Sequence, residues 1–552
     1  MKGAEIVLEV FKRESVELLF GYPGGAVIPL YDALHRADDA PRHIRTVHEQ
    51  NAVHAADGYA RATGKPGVCI VTSGPGAANT ITGLANAYMD SVPLVVLTGQ
   101  VPTALLGKDS FQELDITGIT FSITKHNYLV RNVEDLAGVL TEAFVVANSG
   151  RPGPVLIDIP KDIFLADTQP DWNALDQAAQ EKKRETDFSQ AISEAVKMIG
   201  QARRPVILAG GGIKLSGAED ELVALAEKTQ IPVANTLMGL GTIDRTHPLS
   251  LGMIGMHGYK HGNLAASQSD LILAIGTRFS DRVVGKRGSF GKNSSIIHID
   301  LDPTEFGKNV KHNLAIRGDV KAILTELLDA VKAAERPVWL ERIHDWAEGY
   351  SANRSNGFTP SNILSTVNRA VDPRSTVVTD VGQHQMWTAQ YWDFKQKVEF
   401  ITSGGLGTMG FGPGAAIGAA LAKPGVTTVL VTGDGSFRMS ASELLTMARQ
   451  KLPILIVVMN NRALGMVRQW QQLFQEERYA ETTNDEDMSF EALAAVYKIP
   501  GATVKSMDDL EAALSEKKWE EGPFLLDVMI ENTHNVYPIV PPGKPIDQLI
   551  TE

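Results

Sequence analysis

The 552-residue sequence has a single cysteine, Cys69, which excludes an intrachain disulfide framework and a cysteine-built zinc site. It also lacks any apolar run near the roughly 18 residues that a membrane-spanning helix needs; the longest candidates are short, such as residues 455–459. The first residues show no basic patch followed by an apolar core, so we expect no signal peptide. These absences predict a cytoplasmic protein in a reducing compartment, with no membrane partner.

Positive charge is scarce as well. The 52 Lys and Arg residues stand against 65 Asp and Glu residues, which gives a formal net charge of -13. A surface of this sign argues against nucleic acid as the main partner, although it leaves room for a local basic site. The 43% hydrophobic and 21% charged content is that of ordinary globular proteins, and the length predicts three or four domains.

Many of the 50 glycines follow short apolar runs, where a strand turns into a helix. Such runs, among them the predicted strands at residues 205–209, 271–275 and 524–529, alternate with helix-length segments, a pattern typical of βαβ units and a parallel sheet. We therefore predict an α/β fold of three doubly wound parallel-sheet domains, at residues 1–165, 188–335 and 358–552. Polar stretches near 166–188 and 334–358 are interpreted as linkers. The first and third domains share a size and a pattern, so we expect two copies of one fold.

The most informative stretch is residues 427–465. It predicts a strand, a Gly-Asp-Gly-Ser turn, a helix at residues 440–449, a returning strand and an Asn-Asn pair, with 24 residues between Gly435 and Asn460. This spacing brings Asp434 and Asn461 to the carboxyl edge of two adjacent parallel strands. Their oxygens suit Mg²⁺, and the glycines and the helix N-terminus suit a diphosphate. Two ordinary turns, one with an Asp cap, are the alternative that this spacing disfavours.

Glu49 is a second candidate, because it follows a short predicted strand and opens a predicted helix. An acidic residue at a helix start is ordinarily a partner of the helix dipole, and that interpretation stays open for Glu49 taken alone. Two glycine-rich turns, at residues 21–25 and 74–76, also follow predicted strands. They have no chemistry of their own, so these features taken singly assign no activity.

Taken together, these segments resemble a known family. Residues 433–461 resemble the thiamin diphosphate motif, and residues 48–52 and 72–76 resemble its counterparts in the pyrimidine-binding domain. The segments that are similar to acetohydroxyacid synthases, also called acetolactate synthases, are residues 109–113, 124–128, 464–470 and 535–538. The resemblance covers nearly the whole chain and is to the bacterial catalytic large subunit.

The resemblance implies a thiamin diphosphate-binding fold for the first and third domains and a Rossmann-like FAD-binding fold for the middle domain. The implied enzyme decarboxylates pyruvate on thiamin diphosphate and ligates the hydroxyethyl carbanion to a second pyruvate or to 2-ketobutyrate. The products would be 2-acetolactate and 2-aceto-2-hydroxybutyrate, in valine, leucine and isoleucine biosynthesis. The implied cofactors are thiamin diphosphate, Mg²⁺ and FAD, which has no redox role because neither step moves net electrons.

The resemblance also implies roles for single residues. Glu49 would bond the aminopyrimidine ring, since a carboxyl group away from water can exchange a proton near neutral pH. Met409 would prop the cofactor in its bent form, and Arg278 would bind the second keto acid's carboxylate. Trp470 would favour 2-ketobutyrate through contact with one extra methylene. Without the resemblance, Met409 would be a core methionine and Trp470 a helix-face aromatic residue. The implied catalytic and substrate residues are Glu49, Phe111, Gln112, Lys161, Met256, Arg278, Met409 and Trp470.

Three sets of ligand contacts follow from the same resemblance. The implied Mg²⁺ ligands are Asp434, Asn461 and the carbonyl group of Ala463. The implied thiamin diphosphate contacts are Pro23, Gly24, Thr72, Pro75, Asn79, Gly382, Gln383, His384, Gly433, Gly435, Ser436, Gly465 and Met466. The implied FAD contacts are Arg151, Gly210, Gly211, Gly212, Thr236, Leu237, Gly255, His257, Gly276, Arg282, Val283, Asp300 and Asp319. Ser280 stands where most of the family carries Asp, which weakens one polar contact to FAD.

Active sites of this family lie between subunits, so the resemblance implies a homodimer or a homotetramer, with a small regulatory subunit as a possible partner. Three other activities compete with this interpretation. A catabolic, FAD-independent acetolactate synthase is disfavoured by residues 278–282 and Trp470. A pyruvate oxidase is disfavoured by the segments around Phe111 and Trp470, and a catalytically silent cofactor-binding protein by the presence of Glu49.

Overall fold

The computed structural model describes residues 1–179, 187–348, 357–484 and 488–551. It contains three six-stranded sheets, one after another along the chain, and their strands pair in parallel throughout. Along one strand, Cys69 and Val71 enter one buried layer while Val68 and Ile70 enter another. This alternation shows helices packed on both faces of the sheet, so the predicted α/β class with three parallel sheets is confirmed.

The first sheet and its helices come from the first 179 residues. The strands are β1 Leu18–Gly21, β2 Arg42–Arg45, β3 Gly67–Val71, β4 Leu94–Gln100, β5 His126–Leu129 and β6 Pro154–Pro160. The helices are α1 Gly3–Arg13, α2 Ile28–Arg36, α3 Glu49–Thr63, α4 Pro75–Ala78, α5 Ile81–Asp90, α6 Ile116–Thr120, α7 Val133–Asn148, α8 Lys161–Leu165 and α9 Trp172–Ala179. Helix α3 ends at Gly64, whose positive φ of 72° is the left-handed cap that glycine favours.

The middle sheet follows. Its strands are β7 Pro205–Ala209, β8 Val233–Asn235, β9 Ser250–Met253, β10 Leu271–Ile275, β11 Ser295–Asp300 and β12 Leu314–Arg317. Its helices are α10 Ser189–Gln201, α11 Gly212–Ser216, α12 Glu219–Thr229, α13 Lys260–Gln268, α14 Asp281–Val284, α15 Val320–Ala330 and α16 Pro337–Glu348. The strands are nearly continuous apolar runs, as expected of a sheet that is covered on both faces.

The third sheet has the strands β13 Thr376–Thr379, β14 Phe400–Ile401, β15 Thr428–Gly433, β16 Ile454–Asn460, β17 Gly501–Val504 and β18 Phe524–Met529. Its helices are α17 Pro360–Ala370, α18 Gln383–Tyr391, α19 Phe411–Ala422, α20 Asp434–Arg438, α21 Leu444–Gln450, α22 Gly465–Phe474, α23 Phe490–Val496 and α24 Met507–Ser515. The single helix expected over residues 440–449 is instead a 3-10 turn, Ala441–Glu443, followed by α21.

The strand orders locate the ligand-binding edges. The first sheet runs β2-β1-β3-β4-β6-β5 and the third β14-β13-β15-β16-β18-β17, which is the same order in both. The direction of chain progress reverses between β1 and β3, and between β13 and β15. The middle sheet runs β12-β11-β10-β7-β8-β9, the Rossmann order, with its reversal between β7 and β10. Ligands of doubly wound sheets bind beyond the carboxyl ends of the strands at such a point.

Helices α3 and α19 join the first domain to the third. A Cβ atom on Gly58 would lie 2.1 Å from the carbonyl oxygen of Ala415, and one on Gly418 would lie 1.9 Å from that of Ala55. The two helices therefore meet backbone to backbone, and residues of both sheets share one buried core around them. This contact fixes where the binding edges of the two sheets stand relative to each other.

The predicted linkers are partly wrong, because each contains a helix. Helix α9 falls within 166–188, and α16 falls within 334–358, where Trp339 is buried and donates its indole N–H to the carbonyl oxygen of Pro205 at 3.0 Å. The basic residues at 182–184 and the polar residues at 353–356 lie outside the described residues. Over the ranges that the structure describes, every helix is too short or too polar to cross a membrane.

Candidate active site

One group of candidate residues lies at the reversal point of the third sheet. Asp434 opens α20 directly after β15, and Asn461 follows the neighbouring strand β16. Both side chains are buried. The amide nitrogen of Asn461 donates to Gln383 Oε1 at 3.1 Å, and its oxygen accepts the backbone N–H of Ala463 at 3.2 Å. The structure thus gathers residues from the ends of β15 and β16 and from the start of α18 at a single edge.

His384, in the first turn of α18, is an unsatisfied group at this edge. It is buried, and its Nε2 has no hydrogen-bond partner among the described residues. Burial lowers the pKa of His384 to about 3, so the ring is neutral at physiological pH. A Cβ atom on Gly433 would lie 2.7 Å from His384 Nδ1, and one on Gly465 would lie 2.0 Å from Gln383 Oε1. The glycines leave the backbone and His384 accessible to a phosphate group at a helix N-terminus.

Asp434 has a partner that no sequence pattern indicated. Asn484 donates to Asp434 Oδ2 at 2.6 Å, and an antiparallel bridge between Ala463 and Thr483 brings it there. Burial raises the pKa of Asp434, because it disfavours the ionised carboxylate, and a bound cation would stabilise that ionised form. No cluster of three or more His, Cys, Asp or Glu residues in the described part of the chain could hold a metal. An ion here would need amide, carbonyl and phosphate oxygens as well, which are ligands typical of Mg²⁺.

The loop that carries Met409 is hydrogen-bonded to α20, the helix that Asp434 opens. Gly410 donates its N–H to Ser436 Oγ at 3.1 Å, and its carbonyl oxygen accepts the hydroxyl of Ser440 at 2.8 Å.

A further buried carboxylate lies at the same sheet edge. Asp380, which directly follows β13, is fully buried and accepts the hydroxyl of Thr432 at 3.2 Å. Like Asp434, Asp380 is a carboxylate directly after a predicted strand, so that signal could have found it.

A second group lies at the reversal point of the first sheet. Glu49 is the first residue of α3, and its Oε2 accepts from Asn79 Nδ2 at 2.9 Å. A Cβ atom on Gly76 would lie 3.4 Å from Glu49 Oε1, and one on Gly24 would lie 2.5 Å from Thr72 Cβ. Glycine therefore keeps space open beside the carboxylate. The other expected contacts at this edge, which follow β1 and β3, are Pro23, Thr72 and Pro75.

Three expected substrate residues share this edge of the first sheet. Phe111 and Gln112 lie in the loop between β4 and α6, and Lys161 opens α8 directly after β6. Gln112 has a positive φ of 60°, and its Cα atom stands 2.9 Å from where a Cβ atom on Gly74 would lie. The side chain of Phe111 is 88% exposed. A phenylalanine with so little contact to its own chain leaves an apolar surface open at the sheet edge that also carries Glu49.

Met256 and Trp470 both contact one guanidinium group at the border of the middle and third domains. Arg282 Nη1 lies 3.1 Å from Met256 Sδ, and Arg282 Cζ stands 5.8 Å from the centre of the Trp470 ring. Arg278, which we expected in this pocket, instead donates to the carbonyl oxygen of Met89 at 2.5 Å. The guanidinium that the structure places beside Met256 and Trp470 therefore belongs to Arg282, four residues farther along.

Gln469 holds the helix of Trp470 in place, and no sequence pattern indicated it. It is fully buried, donates to the carbonyl oxygen of Val536 at 2.9 Å, and accepts the N–H of Val536 at 2.9 Å. It also accepts from Gln383 Nε2 at 3.0 Å. One side chain thus connects α22, the chain near residue 536 and the start of α18 at the third-sheet edge.

The glycines expected to contact FAD lie at the reversal point of the middle sheet. A Cβ atom on Gly210 would lie 2.1 Å from the carbonyl oxygen of Gly276, and one on Gly212 would lie 2.6 Å from Gly276 Cα. Gly211, Thr236, Leu237, Gly255 and His257 lie in the turns after β7, β8 and β9. His257 is buried, and its Nδ1 has no hydrogen-bond partner in the described ranges. These residues make the edge compatible with a dinucleotide.

Other expected FAD contacts already have protein partners. Arg151 Nη1 donates to Glu305 Oε1 at 3.0 Å, which joins the first domain to the middle domain. Asp319 caps α15 and also accepts the hydroxyl of Ser216 at 2.8 Å. Burial raises the pKa of Asp300 to about 6, and Val283 is a buried residue of α14. The hydrogen bonds of Arg151 and Asp319 within the chain therefore give both residues a structural role that does not depend on FAD.

The two groups have separate hydrogen-bond partners within one chain. Across the described ranges, Glu49 is bonded to Asn79 and Asp434 is bonded to Asn484. The group around Glu49 and the group around Asp434 are connected indirectly. Helix α3 packs on α19, and Glu443 accepts hydrogen bonds from the turn before Glu49. A carboxylate that can exchange a proton and an edge that can accommodate a diphosphate are therefore each found at a carboxyl edge of their own sheet.

Comparison with known proteins agrees with this arrangement. Residues 1–119 match the family described as thiamine pyrophosphate enzyme, N-terminal TPP binding domain; residues 192–327 match the central domain, and residues 380–528 match the C-terminal TPP binding domain. The acetolactate synthase isozyme 2 large subunit of Escherichia coli (strain K12) is 44% identical over 556 residues, which is 100% of this chain and 99% of that protein.

Two further relatives are nearly as similar. The probable acetolactate synthase large subunit of Methanocaldococcus jannaschii is 44% identical over 568 residues, covering 100% of this chain and 95% of that protein. The acetolactate synthase large subunit of Lactococcus lactis subsp. lactis (strain IL1403) is 42% identical over 566 residues, covering 99% of this chain and 96% of that protein. The similarity therefore extends over all three sheets.

Proposed function

The chain belongs to the acetolactate synthase large-subunit family of thiamine pyrophosphate enzymes, and from this premise we propose that it condenses two 2-keto acids. The reaction joins pyruvate, after loss of CO₂, to a second pyruvate or to 2-ketobutyrate, in branched-chain amino acid biosynthesis. The observation that carries the proposal is the third-sheet edge, where Asp434 and Asn461 stand beside the unsatisfied Nε2 of buried His384.

The residues of this edge fit thiamin diphosphate with Mg²⁺. Asp434, Asn461 and the carbonyl oxygen of Ala463 would hold the ion, and the buried ring of His384 would lie against the diphosphate. Bound thiamin diphosphate supplies the carbon nucleophile and accepts the electron pair that decarboxylation releases. The chain itself positions the phosphates, excludes water through the buried third-sheet edge, and keeps the ion in place.

Glu49 is the residue that we propose for proton transfer. Its carboxylate would bond the aminopyrimidine ring and move a proton between that ring and solvent, while Asn79 fixes one of its oxygens. Since Glu49 and Asp434 lie on different sheets with separate partners, a complete site would combine Glu49 of one chain with Asp434 of another. The exposed side chain of Phe111, on the same edge of the first sheet as Glu49, supports a second copy of the chain at this edge.

Arg282 is the better candidate for binding the carboxylate of the second keto acid. It lies between Met256 and Trp470, whereas Arg278 donates to the carbonyl group of Met89. A guanidinium beside an aromatic ring suits a 2-keto acid, because the carboxylate pairs with the charge and the alkyl end contacts the ring. Phe111, Gln112 and Lys161 of the partner chain would complete the pocket, and Met409 would support the cofactor.

FAD is proposed for the middle domain with a structural role, because the reaction moves no net electrons. The Rossmann strand order, the close glycines at the reversal point and the unsatisfied Nδ1 of His257 support it. We also propose domain limits at residues 1–165, 188–335 and 358–552, with α9 and α16 in the segments between the domains, where each packs on the domain that precedes it. A small regulatory subunit is proposed as the partner of this large subunit.

A product assay tests the proposed function. The purified chain receives thiamin diphosphate, Mg²⁺, FAD, pyruvate and an equal amount of 2-ketobutyrate, and a second reaction omits FAD. Mostly 2-aceto-2-hydroxybutyrate, made only with FAD, is the expected result. Acetolactate alone, made equally well without FAD, would instead identify the catabolic enzyme. Anaerobic bleaching of the flavin by pyruvate would identify a pyruvate oxidase.

A further inference from the structure

A fully buried carboxylate of the third domain lies beneath the turn that precedes Glu49. Glu443 ends the 3-10 turn Ala441–Glu443, nine positions after Asp434. Its Oε1 accepts the backbone N–H groups of Val47 at 2.9 Å and of His48 at 3.1 Å. Its Oε2 accepts the hydroxyl of Thr446 at 2.7 Å. Both carboxylate oxygens are therefore hydrogen-bonded, as burying a charge requires.

These bonds act on the backbone immediately before the catalytic candidate. Glu49 follows His48 directly and is the first residue of α3, so the direction of its side chain depends on the turn at residues 46–48. The turn also has local bonds of its own: Thr46 Oγ1 donates to the carbonyl oxygen of His48 at 3.1 Å, and His48 Nδ1 accepts the backbone N–H of Gln50 at 3.2 Å. Charge-assisted bonds from a buried carboxylate to two successive N–H groups are stronger and more directional than neutral ones.

We propose that Glu443 is a positioning residue for Glu49: its carboxylate holds the turn so that the Glu49 side chain is presented in one orientation. The inference rests on the proposed role of Glu49. Glu443 touches no reacting atom, and it acts from the third domain of the same chain. The segment that begins with the metal-site Asp434 therefore also sets the geometry of the Glu49 turn.

The predicted effects separate positioning from plain stability. In Glu443→Ala the two N–H groups lose their acceptor, whereas Glu443→Gln keeps an Oε1 atom for both. Thr446→Val is the matched control, because it removes a bond from the same carboxylate without touching the turn. Glu443→Ala is therefore expected to loosen the turn and change the orientation of the Glu49 side chain. In Glu443→Gln and Thr446→Val the turn and that orientation should stay close to those of the parent chain.

Amide hydrogen exchange of the chain without cofactor reads the turn directly. Peptides covering residues 44–50 should exchange at least about 10-fold faster in Glu443→Ala than in the parent chain, because two amides lose a buried acceptor. Glu443→Gln and Thr446→Val should stay within about 2-fold of the parent. Unchanged exchange in Glu443→Ala, or equal acceleration in Thr446→Val, would overturn the proposal.

The exchange of the thiamin diphosphate C2 proton with solvent deuterium reads the consequence for Glu49. With Mg²⁺ and cofactor saturating, Glu443→Ala should slow this exchange about 10-fold or more, a misplacement effect that lowers kcat more than it raises KM. Glu443→Gln should restore it. The cofactor's Kd should change little in all three variants, because the diphosphate edge is intact.

Glu49→Gln, measured in parallel, distinguishes a failure of the proposed role of Glu49 from a failure of the positioning role of Glu443. If Glu49→Gln exchanges the C2 proton at the normal rate, the proposed role of Glu49 fails. If Glu49→Gln is slow but Glu443→Ala is normal, Glu49 keeps its role and only the positioning role of Glu443 is refuted.

Discussion

Trp470 is the residue whose contacts most directly concern substrate choice. It is half-buried on α22. The guanidinium group of Arg282 lies over its ring, and the ring of Phe474 packs edge-to-face against it with the ring centres 5.5 Å apart. We expect Trp470→Leu to lower the preference for 2-ketobutyrate over pyruvate about 10-fold or more, because contact with one methylene is worth about 1–3 kcal/mol. Acetolactate should still form. The ratio of the two products in a competition assay measures this.

Trp346→Leu makes the same substitution far from the pocket. Trp346 packs on Trp339 of α16, with ring centres 5.9 Å apart. Its product ratio should equal that of the parent. An unchanged ratio in Trp470→Leu, or the same shift in both variants, would contradict the assignment of Trp470.

Asp158 gives a pH-dependent prediction. It is buried at the carboxyl end of β6, where it accepts from Thr98 Oγ1 at 2.7 Å and Gln100 Nε2 at 2.9 Å, and burial raises its pKa to about 7. The folded state therefore holds this proton more tightly than the unfolded state, whose carboxyl has a pKa of about 3.8. The stability that this proton contributes is complete below about pH 4 and is lost as the pH rises toward 7.

Asp158→Asn removes this titration and keeps the side chain uncharged. We expect its melting temperature, relative to that of the parent, to rise between pH 5 and pH 7.5, because only the parent pays to ionise a buried carboxyl group. Differential scanning calorimetry at these two pH values tests it. A difference in melting temperature that is the same at both would show that Asp158 does not titrate in this range.

At the scale of elements, the backbone contact of α3 with α19 carries the next prediction. A methyl group on Gly418 would lie 1.9 Å from the carbonyl oxygen of Ala55 and 2.7 Å from the N–H nitrogen of Tyr59. Backbone atoms cannot move aside as side chains do, so Gly418→Ala should destabilise the protein by at least about 3 kcal/mol. Urea unfolding followed by circular dichroism measures this.

Gly200→Ala is the control for the helix itself. Gly200 lies on the exposed side of α10, and a Cβ atom there would meet nothing within 4 Å. This change should stabilise the protein by about 0.4–1 kcal/mol, because alanine restricts the unfolded chain more than glycine does. Equal stability of Gly418→Ala and the parent would show that the two helices can separate at no cost.

The elements show which parts of the structure were accessible from sequence. Buried strands such as β7, β10 and β18 have the predicted bounds, since an apolar run ending in a turn is a local signal. Asp434 and Asn461 were found because each directly follows a strand. Asn484, Gln469 and Glu443 were missed because their partners lie 50, 67 and 396 positions away, and only the folded topology makes them neighbours.

Arg278 and Arg282 illustrate the limit within a correctly identified segment. Both lie in one short stretch, and the resemblance led us to expect Arg278 in the pocket, whereas the structure places Arg282 beside Met256 and Trp470. The turn into α14 decides it: Ser280 accepts from Val283 at 2.9 Å, and the backbone of Arg282 is bonded to Met256 at 2.7 Å. The missing information was the direction of two side chains, which depends on backbone geometry that no residue pattern specifies.

At the scale of the whole molecule, the division of the site between two sheets predicts complementation between inactive chains. Glu49→Gln should lose most activity yet bind the cofactor, and Asp434→Ala should lose metal-dependent cofactor binding. If each site combines Glu49 of one chain with Asp434 of another, a mixed dimer has one intact site and one doubly defective site. Co-expression of the two variants should therefore restore about a quarter of the parental activity, since half of the dimers are mixed and each has one working site.

Mixtures of the separately purified variants, assayed before their subunits can exchange, are the control and should stay inactive. Restored activity should fall on dilution into the range where the dimer dissociates, because a single chain holds no complete site. Absence of activity in the co-expressed, verified mixed dimer would mean that both residues of a site come from one chain. In that case the 88% exposure of Phe111 would require another explanation than a second copy of the chain.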